Sequence, residues 1–196
     1  MQSNWQKILL SPHPSEDKYD SSLLDKIAFM IVKSEWITAE ASLLSNLPNI
    51  KEQRDYLSLL AYLDLRVRNF SRLNRLIPKL IEDYGEDEFV KSLFIFWSLL
   101  TGNSDLVNSL PSSFWNKENE SRHLCLAHSH WLIANNAYEE CRVLIDKFLR
   151  DKSLERDLLL AKLSSANGDY RKAIDLLIPW TSSAVGNQRY WRVFLN

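Results

Sequence analysis

A chain of 196 residues, 45% of them hydrophobic, is long enough to bury a core and too apolar to be disordered throughout. Its formal net charge of -1 excludes an overall field that would gather nucleic acid or an anionic membrane. Because the chain has only 4 glycines and 6 prolines and is rich in leucine, its composition favours helices over hairpin turns and predicts an all-α fold.

The first segment, residues 1–18, holds a short apolar patch from Trp5 to Leu10 and then a break at Ser11-Pro12-His13-Pro14. It lacks a basic leader and a long apolar core, and no later apolar run approaches the roughly 20 residues of a membrane span, so we expect a cytoplasmic protein. Three roles stay open for the segment. It docks as a cap, it is a flexible arm, or it occupies a groove of its own or a neighbouring chain.

Five anchor residues divide residues 19–187 at nearly one spacing, because each follows a polar break and opens a new amphipathic run. The anchors, separated by 34, 34, 34 and 32 residues, are Trp36, Phe70, Ser104, Tyr138 and Tyr170. The residues three positions after the anchors are small or apolar, and those seven positions after are apolar with only Pro111 interrupting the column. A helix is therefore predicted to begin at each anchor.

A second apolar run precedes each anchor. These runs are Leu23–Val32, Tyr56–Val67, Phe89–Leu100, Leu124–Ala134 and Leu154–Ala166. Each unit is thus predicted to be a helix, a short turn and a second helix. Such a hairpin cannot bury both of its faces alone, so its neighbours must stack on it.

This pattern resembles the tetratricopeptide repeat family, whose period is about 34 residues. In the clearest copy Leu160-Ala161 stands in the Leu-Gly place, Gly168-Asp169-Tyr170 forms the turn, and Ala173 and Pro179 follow. The resemblance implies a right-handed α-α superhelix of about five helical hairpins. Residues 188–196, with Trp191 in the family's Trp place, are predicted to be a capping helix or the start of a further repeat.

In this family the first helix of each hairpin lines a concave groove, so the resemblance implies which side chains meet a partner. They are Leu24, Tyr62, Phe96, Leu126, His130, Leu158 and Lys162. A groove of this apolar and aromatic character suits an amphipathic helix or an extended segment. The same residues would equally suit a core, since a packed helical stripe has the same period.

A basic stripe at spacings of four, three and four residues is predicted on one face of the second helix of a hairpin. It consists of Arg68, Arg72, Arg75 and Lys79. Such a stripe meets phosphates or an acidic partner, or else it is a solvated face balanced by the acidic residues that follow. Without any nucleic-acid motif and with a neutral total charge, we do not expect nucleic acid as a partner.

Neither metal nor catalytic chemistry is predicted. His128 and His130, two positions apart, point to nearly opposite sides of one helix, and Cys125 and Cys141 lack the spacing of a disulfide framework or a zinc site. No phosphate loop, nucleophile elbow or metalloprotease helix occurs. We therefore expect no cofactor and no enzymatic activity within these residues.

Two functions follow from the predicted architecture. The first is a protein-interaction module, an adaptor or dedicated chaperone that holds an apolar helix or extended segment of a client protein, similar in size to the small tetratricopeptide chaperones of bacterial secretion systems. The alternative is the N-terminal interaction domain of a longer enzyme such as a transferase. Both functions are compatible with a homo-oligomer. We expect no membrane partner for either function.

Overall fold

The computed structural model describes residues 3–10, 22–46, 53–111, 114–115 and 121–180, and all regular structure in these ranges is helical. The helices are α1 Asn4–Leu10, α2 Leu23–Val32, α3 Trp36–Asn46, α4 Gln53–Val67, α5 Phe70–Tyr84, α6 Glu88–Thr101, α7 Ser104–Asn108, α8 Arg122–Ala134, α9 Tyr138–Phe148, α10 Leu154–Ala166 and α11 Tyr170–Leu177, with a 3-10 turn at Ile178–Trp180. None of these helices is long and apolar enough to cross a bilayer. The all-α prediction is confirmed. The predicted helix at 188–196 lies outside the described residues.

Each predicted apolar run begins and ends within three residues of the corresponding observed helix. We call α2, α4, α6, α8 and α10 the A helices, and α3, α5, α7, α9 and α11, which begin at the five anchors, the B helices. Contiguous helices pack as sequential neighbours.

The same turn closes every A helix. A residue with positive φ stands two positions before each anchor, and these residues are Ser34, Arg68, Gly102, Asn136 and Gly168. In each case the next backbone N–H donates to the carbonyl five residues earlier, as Asn103 N does to Ser98 O at 2.9 Å. This is the bond of a Schellman motif, which satisfies a carbonyl that the helix end would otherwise leave without a partner.

Two units divide the chain. In the first, Met1–Phe114, the described helices are α1 to α7, and α4 packs against α2, α3, α5 and α6. In the second, Trp115–Asn196, they are α8 to α11, and α10 packs against α8, α9 and α11. Within each unit an A helix therefore contacts its own B helix and the next A helix, which is the packing expected for stacked hairpins.

The inward face of the B helices forms much of the core. Three and seven positions after the anchors, Ala39, Leu43, Leu73, Ile77, Val107, Cys141 and Ile145 are all buried. α7 is the shortest B helix and ends before Pro111, whose missing N–H and ring disfavour continuation of a helix. The break in the predicted column thus corresponds to a real shortening of the helix.

α11 differs from the other long B helices, because none of its residues is buried. Tyr170, Ile174 and Ile178 lie four residues apart and are 65%, 59% and 56% exposed. Within the described part of the chain, the last hairpin therefore presents an apolar stripe to solvent.

An ion-pair network joins the first two hairpins. The guanidinium of Arg72 on α5 donates from Nε to Asp64 Oδ2 on α4 at 2.6 Å, and its Nη2 lies 2.6 Å from Glu40 Oε1 on α3. Asp64 is fully buried. Burial raises the pKa of the Asp64 carboxyl even though Arg72 opposes that shift, so the arginine offsets a desolvation cost and is a structural residue.

The recurring turn predicts stability changes of opposite sign at two of its positions. At φ 73° the backbone of Gly102 disfavours any Cβ, so Gly102→Ala should lower the free energy of unfolding by about 1 kcal/mol. No atom lies within 4 Å of the place that the Cβ would take, so the loss comes from the backbone alone. Arg68→Gly removes the same backbone penalty at φ 59° and should raise the free energy of unfolding. The gain should be smaller than the loss in Gly102→Ala, because glycine loses more conformational freedom on folding.

Urea denaturation followed by circular dichroism measures both changes, and both positions lie in the first unit. Equal losses in the two variants would contradict the assigned turn.

Candidate binding surface on the A helices

The seven predicted groove residues divide by burial. In the first unit Leu24, Tyr62 and Phe96 are half-buried, so each offers part of its surface. In the second unit His130 and Lys162 are also half-buried. Leu126 and Leu158 are buried and leave little surface for a ligand. Contact of these side chains with a partner stays a prediction.

α1 lies against the A helices of the first unit. It packs along α2, and the Trp5 indole Nε1 donates to Asp55 Oδ2, in the first turn of α4, at 3.3 Å. The same indole meets Phe89, in the first turn of α6, edge to face, with ring centroids 4.9 Å apart and an interplanar angle of 84°. α1 therefore contacts three successive A helices. A helix that covered only the end of a hairpin stack would not reach all three.

An aromatic path connects α1 with the predicted groove. The ring of Phe89, which contacts Trp5, also lies 6.1 Å, between centroids, from the ring of Tyr62. Trp5 is only 2% exposed, and Ile8 and Leu9 are buried as well. These contacts place α1 on the A helices of its own chain. The role of the segment 1–18 as a cap, a flexible arm or a groove occupant stays a prediction.

Sequence reasoning missed Asp55 and Phe89 as members of this surface. An acidic residue in the first turn of a helix is ordinarily explained by its favourable interaction with the helix dipole. A phenylalanine in an apolar run is ordinarily a core residue. The available signal was Trp5 itself, a large residue with one N–H donor that needs a partner when it is buried.

His130 and Lys162 are the two titratable residues among the predicted groove residues of the second unit. Burial, assisted by the nearby charge of Lys162, lowers the pKa of His130 to about 3, so the imidazole is neutral at physiological pH. Burial also lowers the pKa of Lys162. Lys162 forms no ion pair with any described residue.

The other described histidines, His123 and His128, and the two cysteines lie in structural surroundings. His128 stacks on Trp115 with ring centroids 4.0 Å apart, and His123 is buried. Among the described residues no three His, Cys, Asp or Glu side chains are grouped as metal ligands. Cys141 donates from Sγ to Ser129 O at 3.5 Å, and burial raises the pKa of its thiol to about 11, which makes it a poor nucleophile.

The predicted basic stripe is only partly on one helix. Arg68 occupies the left-handed turn before α5, so it is not on the helical face that the spacing predicted. Arg72 is held by Asp64 and Glu40, and its pKa is raised chiefly by the bond to Asp64. Arg75 and Lys79 remain as exposed cations on α5. Two such charges make a weak platform for phosphates.

Comparison of the chain with protein-family models, with curated proteins and with solved structures gives no match.

The neutral state of His130 predicts a pH dependence of stability. Its pKa is about 3 in the fold against 6.5 ordinarily, so the unfolded chain binds one more proton between these values. The contribution of neutral His130 to the free energy of unfolding is fully present above pH 6.5 and is lost as the pH falls toward about 3. His130→Gln should reduce the slope of the free energy of unfolding against pH in this range. The reduction should not exceed the slope that the uptake of one proton produces.

Urea denaturation at several pH values in this range measures the slope. Lys162→Met is a useful companion, because removal of the charge should raise the pKa of His130 and shrink the same window. Parallel profiles for the wild type and His130→Gln would show that His130 is not held neutral by the fold.

Proposed function

We propose that this protein is an interaction module, an adaptor or dedicated chaperone, that binds an apolar amphipathic helix or extended segment of a client protein on its A helices. The observation that carries the proposal is α1, an amphipathic helix that the A helices of the first unit already hold through Trp5. A surface that holds one helix by apolar contacts and an indole–carboxylate hydrogen bond has the chemistry to hold another.

We also propose how the hairpins are arranged. The left-handed turn recurs after 34, 34, 34 and 32 residues, and the B helices begin two residues later, as in tetratricopeptide hairpins. This periodicity supports a right-handed superhelix of tetratricopeptide type with the A helices on its inner side. We propose a cytoplasmic, non-enzymatic protein on the same basis.

The proposed surface should bind by apolar burial more than by charge. Tyr62 and Phe96 are half-buried aromatic residues on consecutive A helices, and such residues are typical centres of binding energy. Lys162 carries the only charge among the predicted groove residues, because His130 is neutral and the other five are uncharged. Client affinity should therefore depend little on salt concentration, in contrast to binding of phosphates.

A double variant tests the proposed surface. Tyr62→Ala with Phe96→Ala removes two aromatic side chains from the A helices and should reduce the client recovered by affinity purification about tenfold or more. Quantitative mass spectrometry of the purified complexes measures the recovery. The matched control is Phe70→Ala with Tyr84→Ala, which removes the same two residue types, also half-buried, from the B helix α5.

The control should retain its client. Recovery of the same client at the same level by a folded Tyr62→Ala, Phe96→Ala protein would refute the assignment of the client to the A helices.

A further inference from the structure

We infer that α1 is an exchangeable ligand of its own chain, and that the site beneath it selects short amphipathic helices that present a tryptophan followed at three and four positions by aliphatic residues. This inference rests on the proposed function and deepens it by specifying the ligand. In the unliganded protein α1 occupies the site, and a client helix of the same chemistry displaces it.

The pattern of the ligand is visible in α1. Trp5, Ile8 and Leu9 are buried together with Gln6, whereas Asn4 and Lys7 are exposed. The spacing of three and four residues places the three apolar side chains on one side of a helix. A competing segment needs this face and is free to vary on the other.

Asp55 explains why the site should prefer tryptophan. Its carboxylate is buried, and Oδ1 accepts from Arg54 Nε at 2.9 Å. Oδ2 accepts from the indole of Trp5. A phenylalanine would fill similar space but would bring no donor, and a buried carboxylate oxygen deprived of its donor is costly.

The length of α1 makes exchange feasible. A helix of seven residues is too short to persist in water by itself, so α1 is ordered by the surface on which it docks. Eleven residues of sequence separate Leu10 from Ser22, and a chain of that length spans up to about 36–40 Å when extended. Release of α1 therefore does not require α2 to unfold.

A binding experiment with the chain's own segment tests the inference. The probe is a fluorescein-labelled peptide of residues 1–12, added to the full chain and followed by fluorescence anisotropy. The receptor is Trp5→Ala with Ile8→Ala, whose α1 docks weakly, and it should bind the probe at least tenfold more tightly than the wild type, whose site is occupied. A probe carrying Trp5→Phe should bind this receptor several-fold more weakly than the natural probe.

Absence of probe binding to the double variant, or equal binding to the variant and the wild type, would overturn the inference. Circular dichroism and a cooperative thermal transition establish that the receptor is folded. Should the double variant lose that transition, Trp5→Phe replaces it as receptor, because it keeps the ring and removes the indole N–H. It should bind the probe several-fold more tightly than the wild type, and failure to do so counts equally against the inference.

The outcome is separable from that of the proposed function. Client recovery that depends on Tyr62 and Phe96, without probe binding, refutes the exchange of α1 alone. Probe binding that depends on Trp5, without any client that depends on Tyr62 and Phe96, supports exchange and refutes the client-binding proposal.

Discussion

One backbone conformation, the left-handed residue that ends every A helix, positions the rest of this molecule. A residue at Ser34, Arg68, Gly102, Asn136 or Gly168 turns the chain so that the next N–H satisfies a carbonyl of the helix just finished. The B helix then begins two residues later at the anchor. Because the turn is the same each time, every B helix begins two residues after the left-handed residue, and the buried columns can stack within each unit.

The placement of α1 depends on that stacking. Only when the first turns of successive A helices lie side by side can one indole bond to Asp55 and also meet the ring of Phe89, since these residues are 34 positions apart in the chain. The A helices of the first unit thus form a composite surface that no single hairpin possesses. This is the physical basis for proposing that the surface, and not any individual motif, carries the function.

The helices were predictable because their signals are local. Polar breaks, apolar periodicity and helix-ending residues occur within each hairpin, and the A and B helices follow them closely. Gly102 and Gly168 are ordinary residues for a left-handed turn, but Ser34 and Arg68 are not, and there only the period across hairpins located the turn. Pro111 likewise marked the place where α7 is short.

The surface was less predictable because its contacts are distant in sequence. Trp5 and Asp55 are 50 residues apart, and neither belongs to a recognisable motif. The helical period could not separate groove from core, which is why Leu126 and Leu158 were predicted together with Tyr62 although they are buried. Arg72 was assigned to a basic stripe because sequence spacing does not reveal that Asp64 and Glu40 hold it.

The central claim, that clients bind on the A helices, is tested most directly by site-specific photocross-linking. Benzoylphenylalanine in place of Phe96, on the A helix α6, should form a covalent adduct with a client in cells, and the same group in place of the exposed Ile37, on the B helix α3, should not. Mass spectrometry of the adduct should find the cross-link in an apolar helical or extended segment of the client. Client adducts that form from position 37 and not from position 96 would contradict the claim.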